Sequence, residues 1–428
     1  MTGTEAPHGW ETRAARWFIA GATATTFAHA ITVLLLPTIA ARELGASDGA
    51  VALLYGLMFS SMALFSLPAG IALDRHDKRQ ALLAANLCAV AVMGVLVALA
   101  SADALSMPVV AFATMVVAAV PTVGELAAET YLPTVSGGDV LQRGNALLVS
   151  GRALAATAAP VVAGVGFAWG GAAPSLAVNL AAFTLAAVPL VSISARRTAV
   201  TASRPGPDRL PSSGVGRAAR LIRNDPVLRR VALGTGLFNV GGGLVGALYV
   251  VFAYRNLALS PVDVGILEAL GSVAIVAGGL TAMVVIRWLG IAATAYTMVA
   301  AGGLALWLIP LAGFGAPLLA LAVYETLFGV TVACFRVAVI SLRQSRVSCE
   351  LQGATFGLLR IAPMAGAPLG AFAAAGLVSV GVSNHVGVAI GSAIACAALA
   401  MYGRPADWRS AVGAARDIPP VPATAIGG

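Results

Sequence analysis

Charge is what this chain has least of. Asp, Glu, Lys and Arg together make up 10% of its 428 residues, where a soluble domain carries about a quarter. Hydrophobic residues make up 59% and mean hydropathy is +0.90. No soluble fold hides that much apolar surface, so the composition implies a polytopic membrane protein. Cysteine is scarce too. Cys88, Cys334, Cys349 and Cys396 form no C-x-x-C pair, and three of the four fall in apolar runs. That excludes a disulfide framework and a zinc site, and no metal or cofactor is expected. Lysine is nearly absent: of 26 basic residues one, Lys78, is a lysine. A nucleotide-binding P-loop needs G-K-[ST], but Lys78 is followed by Arg79, which excludes that kind of ATP-driven pump. No H-E-x-x-H or comparable catalytic motif appears, so an enzyme is not expected. The arginine bias points to a GC-rich, bacterial genome.

What is present is long apolar runs. A bilayer core needs about 20 apolar residues per helix. Twelve runs qualify, at 16–41, 50–73, 81–101, 106–132, 140–168, 172–194, 228–254, 261–287, 291–312, 316–342, 351–379 and 384–403. The start of the first, RAARWFIAGATATTFAHA, resembles a signal peptide. The run continues through ITVLLLPTIA, however, and cleavage after Ala30 would leave a stub too short to span, so an uncleaved first helix is expected. Connectors are short except for 195–227, which is rich in arginine and proline and ends in the basic stretch GRAARLIRN. The expected organisation is an all-α membrane protein with two six-helix bundles, 1–194 and 228–403. A linker, 195–227, joins them, and a disordered tail, 404–428, follows.

Net charge is +8. That balance suggests nucleic acid less than it suggests orientation. With the N-terminus inside, 21 basic residues fall on inner connectors and tails. Outer connectors hold only Arg42 and Arg255, and Arg152, Arg336 and Arg360 lie within helices. The asymmetry places both termini and the linker in the cytoplasm, in the cytoplasmic membrane. The halves also repeat. Gly56 and Gly70 recur as Gly265 and Gly279, 209 positions on, and Arg152 and Pro160 recur as Arg360 and Pro368, 208 positions on. A duplicated six-helix unit is typical of secondary transporters with a central site between the halves.

The connector after the second run, Gly70-Ile71-Ala72-Leu73-Asp74-Arg75-His76-Asp77-Lys78-Arg79, packs five charges into six positions. It resembles the G-x-L-x-D-R-x-G-R-[KR] signature of the major facilitator superfamily at Gly70, Asp74, Arg75, Lys78 and Arg79. Asp77 stands where the family has glycine, so the turn is expected to differ. The resemblance covers the whole chain and implies a monomer with twelve helices. It also implies a cytoplasmic gate in which Asp74 faces the start of the eleventh helix, near Leu351. The basic residues would pair with acids on neighbouring helices, with Glu129 as the candidate partner. Pro160 and Gly164 in the fifth helix resemble the antiporter motif of proton-coupled drug exporters, with alanines at its other glycine positions. Small-residue packing around a proline is the competing reading. The stretches LQRGNALLVSGRALAATAAP and PLGAFAAAG resemble the macrolide-efflux-like branch.

Charges inside a bilayer cost about 3 kcal/mol each and need a reason. They fall in the fourth, fifth, eighth, tenth and eleventh helices: Glu125, Glu129, Arg152, Glu268, Glu325, Arg336 and Arg360. Glu125 lies four residues before Glu129, on one helical face. Glu125 paired with Arg152, Glu325 and His29 are the proton-coupling candidates. Asn239, Glu268, Arg336 and Arg360 are the substrate-cavity candidates. Static salt bridges and polar cavity lining compete with both roles. Tyr55, Tyr249, Trp307 and Tyr324 offer aromatic surface to a large ligand. The expected function is export of amphipathic small molecules by proton antiport. The alternative is an importer or facilitator of an anionic metabolite, held by the matched pair Arg152 and Arg360.

Overall fold

Lipid offers a backbone no hydrogen-bond partner, so apolar runs of this length close their own bonds as helices. The computed structural model describes residues 9–75, 77–135, 138–192 and 212–403, and among them are twelve helices long and apolar enough to cross a membrane. The first half contributes α1 (Gly9–Arg42), α2 (Asp48–Arg75), α3 (Lys78–Ser101), α4 (Met107–Ala118 and Val120–Val135), α5 (Gly138–Gly170) and α6 (Ala172–Ser192). The second contributes α7 (Pro226–Val251, prolonged by the π-helical turn Phe252–Asn256), α8 (Pro261–Leu289), α9 (Ile291–Leu306), α10 (Pro317–Arg346), α11 (Cys349–Ser379) and α12 (Asn384–Tyr402). No strand occurs among the described residues. A shorter helix, Ser212–Asn224, occupies the end of the linker and packs against α7 and α11. The remainder of the linker and the tail 404–428 lie outside the described residues.

Local chemistry explains the interruptions. α4 breaks at Ala119, two residues before Pro121, because proline has no N–H for the helical ladder and its ring crowds the preceding turn. Asp77 is the N-cap of α3: its Oδ1 accepts from Arg79 N at 2.8 Å and Gln80 N at 3.3 Å. This is the physical content of the departure from the family's glycine. Asp225 caps α7 in the same way, accepting from Val227 N at 2.8 Å, and receives Arg346 of α10 at 3.3 Å.

Packing repeats with the sequence. α1 rests on α5 and α6 as α7 rests on α11 and α12, and α2 meets α4 as α8 meets α10. The halves touch through α2 against α11 and α5 against α8, related as the two ends of a pseudo-two-fold. The side bearing the linker is called the linker side here, and the opposite side the far side. On the far side one apolar cluster runs through both halves, from Leu35, Ile39 and Leu54 to Leu248, Phe252 and Ala371. On the linker side the core divides. Phe18, Leu82, Ala127 and Leu190 form one cluster within the first half, and Val231, Ala295, Leu342 and Tyr402 form another within the second. Among the described residues the apolar core thus joins the halves on the far side and is divided between them on the linker side.

Candidate functional site

A cavity of about 840 Å³ lies in that separation, running from mid-membrane to the linker-side ends of α7, α10 and α11. Its inner end is aromatic. Tyr324 stacks on Phe328 with centroids 5.4 Å apart, and Phe328 lies 6.4 Å from Phe238. Tyr55 and Phe59 reach in from α2 with rings 4.7 Å apart. Gly246 of α7 makes room for the Tyr55 hydroxyl, which a Cβ there would strike. Most of the wall belongs to the second half.

Three arginines line the linker-side part of the cavity. Arg336 of α10 and Arg360 of α11 are exposed in its wall, and Arg343 lies 4.3 Å over the Phe356 ring. Among the described residues none of the three forms an ion pair. Among the described residues Glu125 of α4 is the carboxylate on the wall, contributed by the other half. Asn239 also lines the cavity, and its amide donates to the Thr235 carbonyl at 2.8 Å. The expected Glu125–Arg152 pair does not form. Arg152 is not on the cavity wall; its Nη2 donates to the Gly124 carbonyl at 3.3 Å. The repeat-related Arg152 and Arg360 therefore have different surroundings.

Two acids sit behind the aromatic end. Glu325 of α10 is 9% exposed, and its Oε2 lies against Gly271 of α8, where a Cβ would collide with it. Glu268, one turn earlier on α8, is half-buried and close enough for the two charges to interact. The buried Tyr249 faces both acids, its ring 5.9 Å from Tyr324. Neither acid forms an ion pair among the described residues, and neither is on the cavity wall. His29 of α1 lines a separate void of about 10 Å³ with Tyr55 and Thr114, and its Nδ1 has no hydrogen-bond partner. A space of that size holds at most about one water. Trp307 lies away from the cavity.

The far side is tied by polar contacts between the halves. Arg255, in the π-helical turn after α7, pairs with Asp48 at the start of α2 and donates to the Ala46 carbonyl at 2.6 Å. Asp48 also accepts from Asn384 of α12 at 2.6 Å. Arg42 donates to the Leu259 carbonyl at 2.5 Å and lies 4.6 Å over the Tyr254 ring, whose hydroxyl meets Thr38 at 2.8 Å. Glu43 acts within the first half, accepting from Ala172 N at the start of α6 at 2.7 Å. Sequence reasoning missed this cluster. Its signal was present: Arg42 and Arg255 are the two arginines that break the positive-inside bias.

Pro160 and Gly164 of α5 lie at the contact with α8. A Cβ on Gly164 would strike the Pro261 carbonyl, and one on Gly265 would strike the Pro160 carbonyl. The two glycines thus let the helices approach reciprocally. In the charged connector, Arg79 Nε donates to the Leu190 carbonyl of α6 at 2.7 Å, and neither Arg79 nor Lys78 forms an ion pair among the described residues. Beyond their helical backbone, Gly70, Asp74, Arg75 and Glu129 lie outside the described residues, and so does the pairing expected of them.

A family model described as Major Facilitator Superfamily matches residues 18–371. No curated protein sequence matches the chain. Solved structures with the same fold include the nucleoside transporter NupG, 12% identical, with 91% of this chain and 99% of that chain covered and a TM-score of 0.70. A bacterial homologue of the iron transporter ferroportin, in an inward-facing state, is 15% identical over 93% and 99%, with a TM-score of 0.70. A bacterial homologue of the human lysosomal transporter Spinster, inward-facing and unoccupied, is 15% identical over 96% and 98%, with a TM-score of 0.67. At these identities the likeness is one of fold.

Proposed function

We propose, for a chain that belongs to the Major Facilitator Superfamily and is a multi-pass membrane transporter of a small molecule, that it exports amphipathic compounds from the cytoplasm by alternating access. We propose further that proton antiport drives it and that it acts as a monomer in the bacterial cytoplasmic membrane. The observation that carries this reading is the divided core. Apolar packing joins the halves on the far side and is split between them on the linker side. With the linker in the cytoplasm, the cavity is loaded from inside, and rocking one half against the other about α2–α11 and α5–α8 exposes it outside.

The cavity is wide, aromatic at one end and charged at the other, which suits amphiphiles. Proton coupling draws on Glu325 and Glu268. A carboxylate held in a bilayer without a cation costs about 3 kcal/mol, and binding a proton removes that cost. Opening of the far side would wet the pair, and its closure would dry it. Glu125, in contact with the cavity, is placed to compete with substrate rather than to store a proton in isolation. The three arginines favour a second reading, import or facilitated movement of an anionic metabolite.

The test is dye and antibiotic accumulation in cells stripped of their own efflux pumps, with and without a protonophore. Lower accumulation in cells carrying the wild type, erased by the protonophore and by Glu325→Gln, is expected. Export that survives the protonophore would sink proton coupling. Uptake instead of export, in vesicles of known orientation, would select the second reading.

A further inference from the structure

The cavity wall is asymmetric in charge, and the asymmetry identifies the ligand's head group. On α10 the wall stripe runs Phe328, Phe335, Arg336, Arg343, at helical spacing. On α11 it runs Phe356, Arg360, Pro363. The Phe238, Phe328 and Tyr324 rings thus lie toward mid-membrane, and the guanidinium groups lie toward the linker side with Phe335 and Phe356 among them, on one continuous surface.

Orientation signals alone do not account for these arginines. A positive-inside arginine belongs at a helix end, where Arg346 sits paired with Asp225. Arg336 stands ten residues before Arg346, about 15 Å deeper along the helix. Arg360 is a similar distance inside the start of α11. Both face the cavity and neither is paired with a carboxylate among the described residues. Arg343 lies over the Phe356 ring at 4.3 Å, and its buried Nε has no acceptor. A guanidinium presents five donors in a fork that matches a carboxylate or phosphate edge. Among the described residues three such groups share the cavity wall with one carboxylate, Glu125. The balance among these groups is cationic, and an anion entering the cavity supplies the missing acceptors.

We infer that the cavity takes amphiphiles with a flat apolar body and a carboxylate or phosphate head, the head held by Arg336, Arg343 and Arg360 and the body by the Phe238–Phe328–Tyr324 stack. This rests on the transport reading and narrows it. Cationic amphiphiles of equal size are disfavoured by the same three charges.

The test compares two xanthene dyes of similar body, anionic fluorescein and cationic rhodamine 6G, binding to the purified full chain in nanodiscs by fluorescence polarisation. Fluorescein is expected to bind at least tenfold more tightly, with an affinity that falls as salt rises. The double change Arg336→Gln with Arg360→Gln should weaken fluorescein at least tenfold. Arg336→Lys with Arg360→Lys should retain most of the binding, which separates loss of charge from loss of fold. Rhodamine binding equal to or tighter than fluorescein, or fluorescein binding untouched by the glutamine changes, overturns the inference. If rhodamine is both bound and exported by cells while fluorescein is not, the inference falls and the transport reading stands. If neither dye binds and no compound is exported, both fall.

Discussion

Replacing Asp48 by asparagine removes one charge from the far-side tie and leaves its shape. Asp48 meets Arg255, and their side chains are 22% and 36% exposed. A partly exposed pair of this kind is worth about 1 kcal/mol at most. The Asn384 amide loses a charged acceptor held at 2.6 Å, and the difference between a charged and a neutral acceptor adds about 1 kcal/mol. Arg255 keeps its bond to the Ala46 carbonyl at 2.6 Å, so the tie weakens rather than vanishes. The sum, about 2 kcal/mol, shifts the balance between far-side-closed and far-side-open states about 30-fold. The readout is Ala52→Cys in a background without the four native cysteines. Ala52 is fully buried on α2, between Gly49 and Gly56, which pack on α11. A membrane-impermeant maleimide applied from the far side reaches it only when the halves part there. Asp48→Asn should raise its labelling rate by 10- to 30-fold if opening is rapid and population governs the rate. Glu43→Gln is the control. Glu43 is nearby and also acidic, but it caps α6 within its own half, so its loss should cost about 1 kcal/mol of stability without faster labelling. Equal labelling in Asp48→Asn and wild type, or an equal rise in Glu43→Gln, would refute the reasoning.

Two further substitutions test local packing. Gly265→Val places a branched side chain against the Pro160 carbonyl and should cost about 1–3 kcal/mol by overpacking, lowering the melting temperature and slowing transport. Gly279→Val on the same helix, where a Cβ would meet nothing within 4 Å, should leave both unchanged, and equal effects would discount the α5–α8 approach. At the start of α3, Asp77→Ala should cost about 1 kcal/mol through loss of the cap, while Asp77→Gly should cost only a few tenths. A thermal melt in detergent that ranks the two the other way would show that Asp77 does something besides capping.

The fold was legible because lipid leaves one answer. Twelve apolar runs had to be helices, and their observed spans follow the expected ones closely. The duplication was legible in part from glycine. Gly56 and Gly265 sit 209 positions apart because each lies where a helix of one half crosses the other, against Phe372 and Pro160. The site was less legible, since a sequence gives a residue's depth in a helix but not the direction it faces. The repeat made Arg152 and Arg360 equivalents, yet Arg360 faces the cavity and Arg152 turns to the Gly124 carbonyl. Depth likewise set Glu268 beside Asn239 as a cavity residue, although Asn239 is on the wall and Glu268 is behind it with Glu325. Arg343 was absorbed into the inner charge count by its nearness to a helix end, and its place on the cavity wall and its stacking on Phe356 separate it from Arg346, which pairs with Asp225. The far-side tie shows the opposite case, in which sequence held more than was read from it. A bias that collects arginine on one side makes each exception costly to explain away, and both exceptions, Arg42 and Arg255, bind the opposite half of the molecule. In a chain this poor in charge, an arginine on the side opposite the basic connectors is a structural statement, and it says where the two halves are held together.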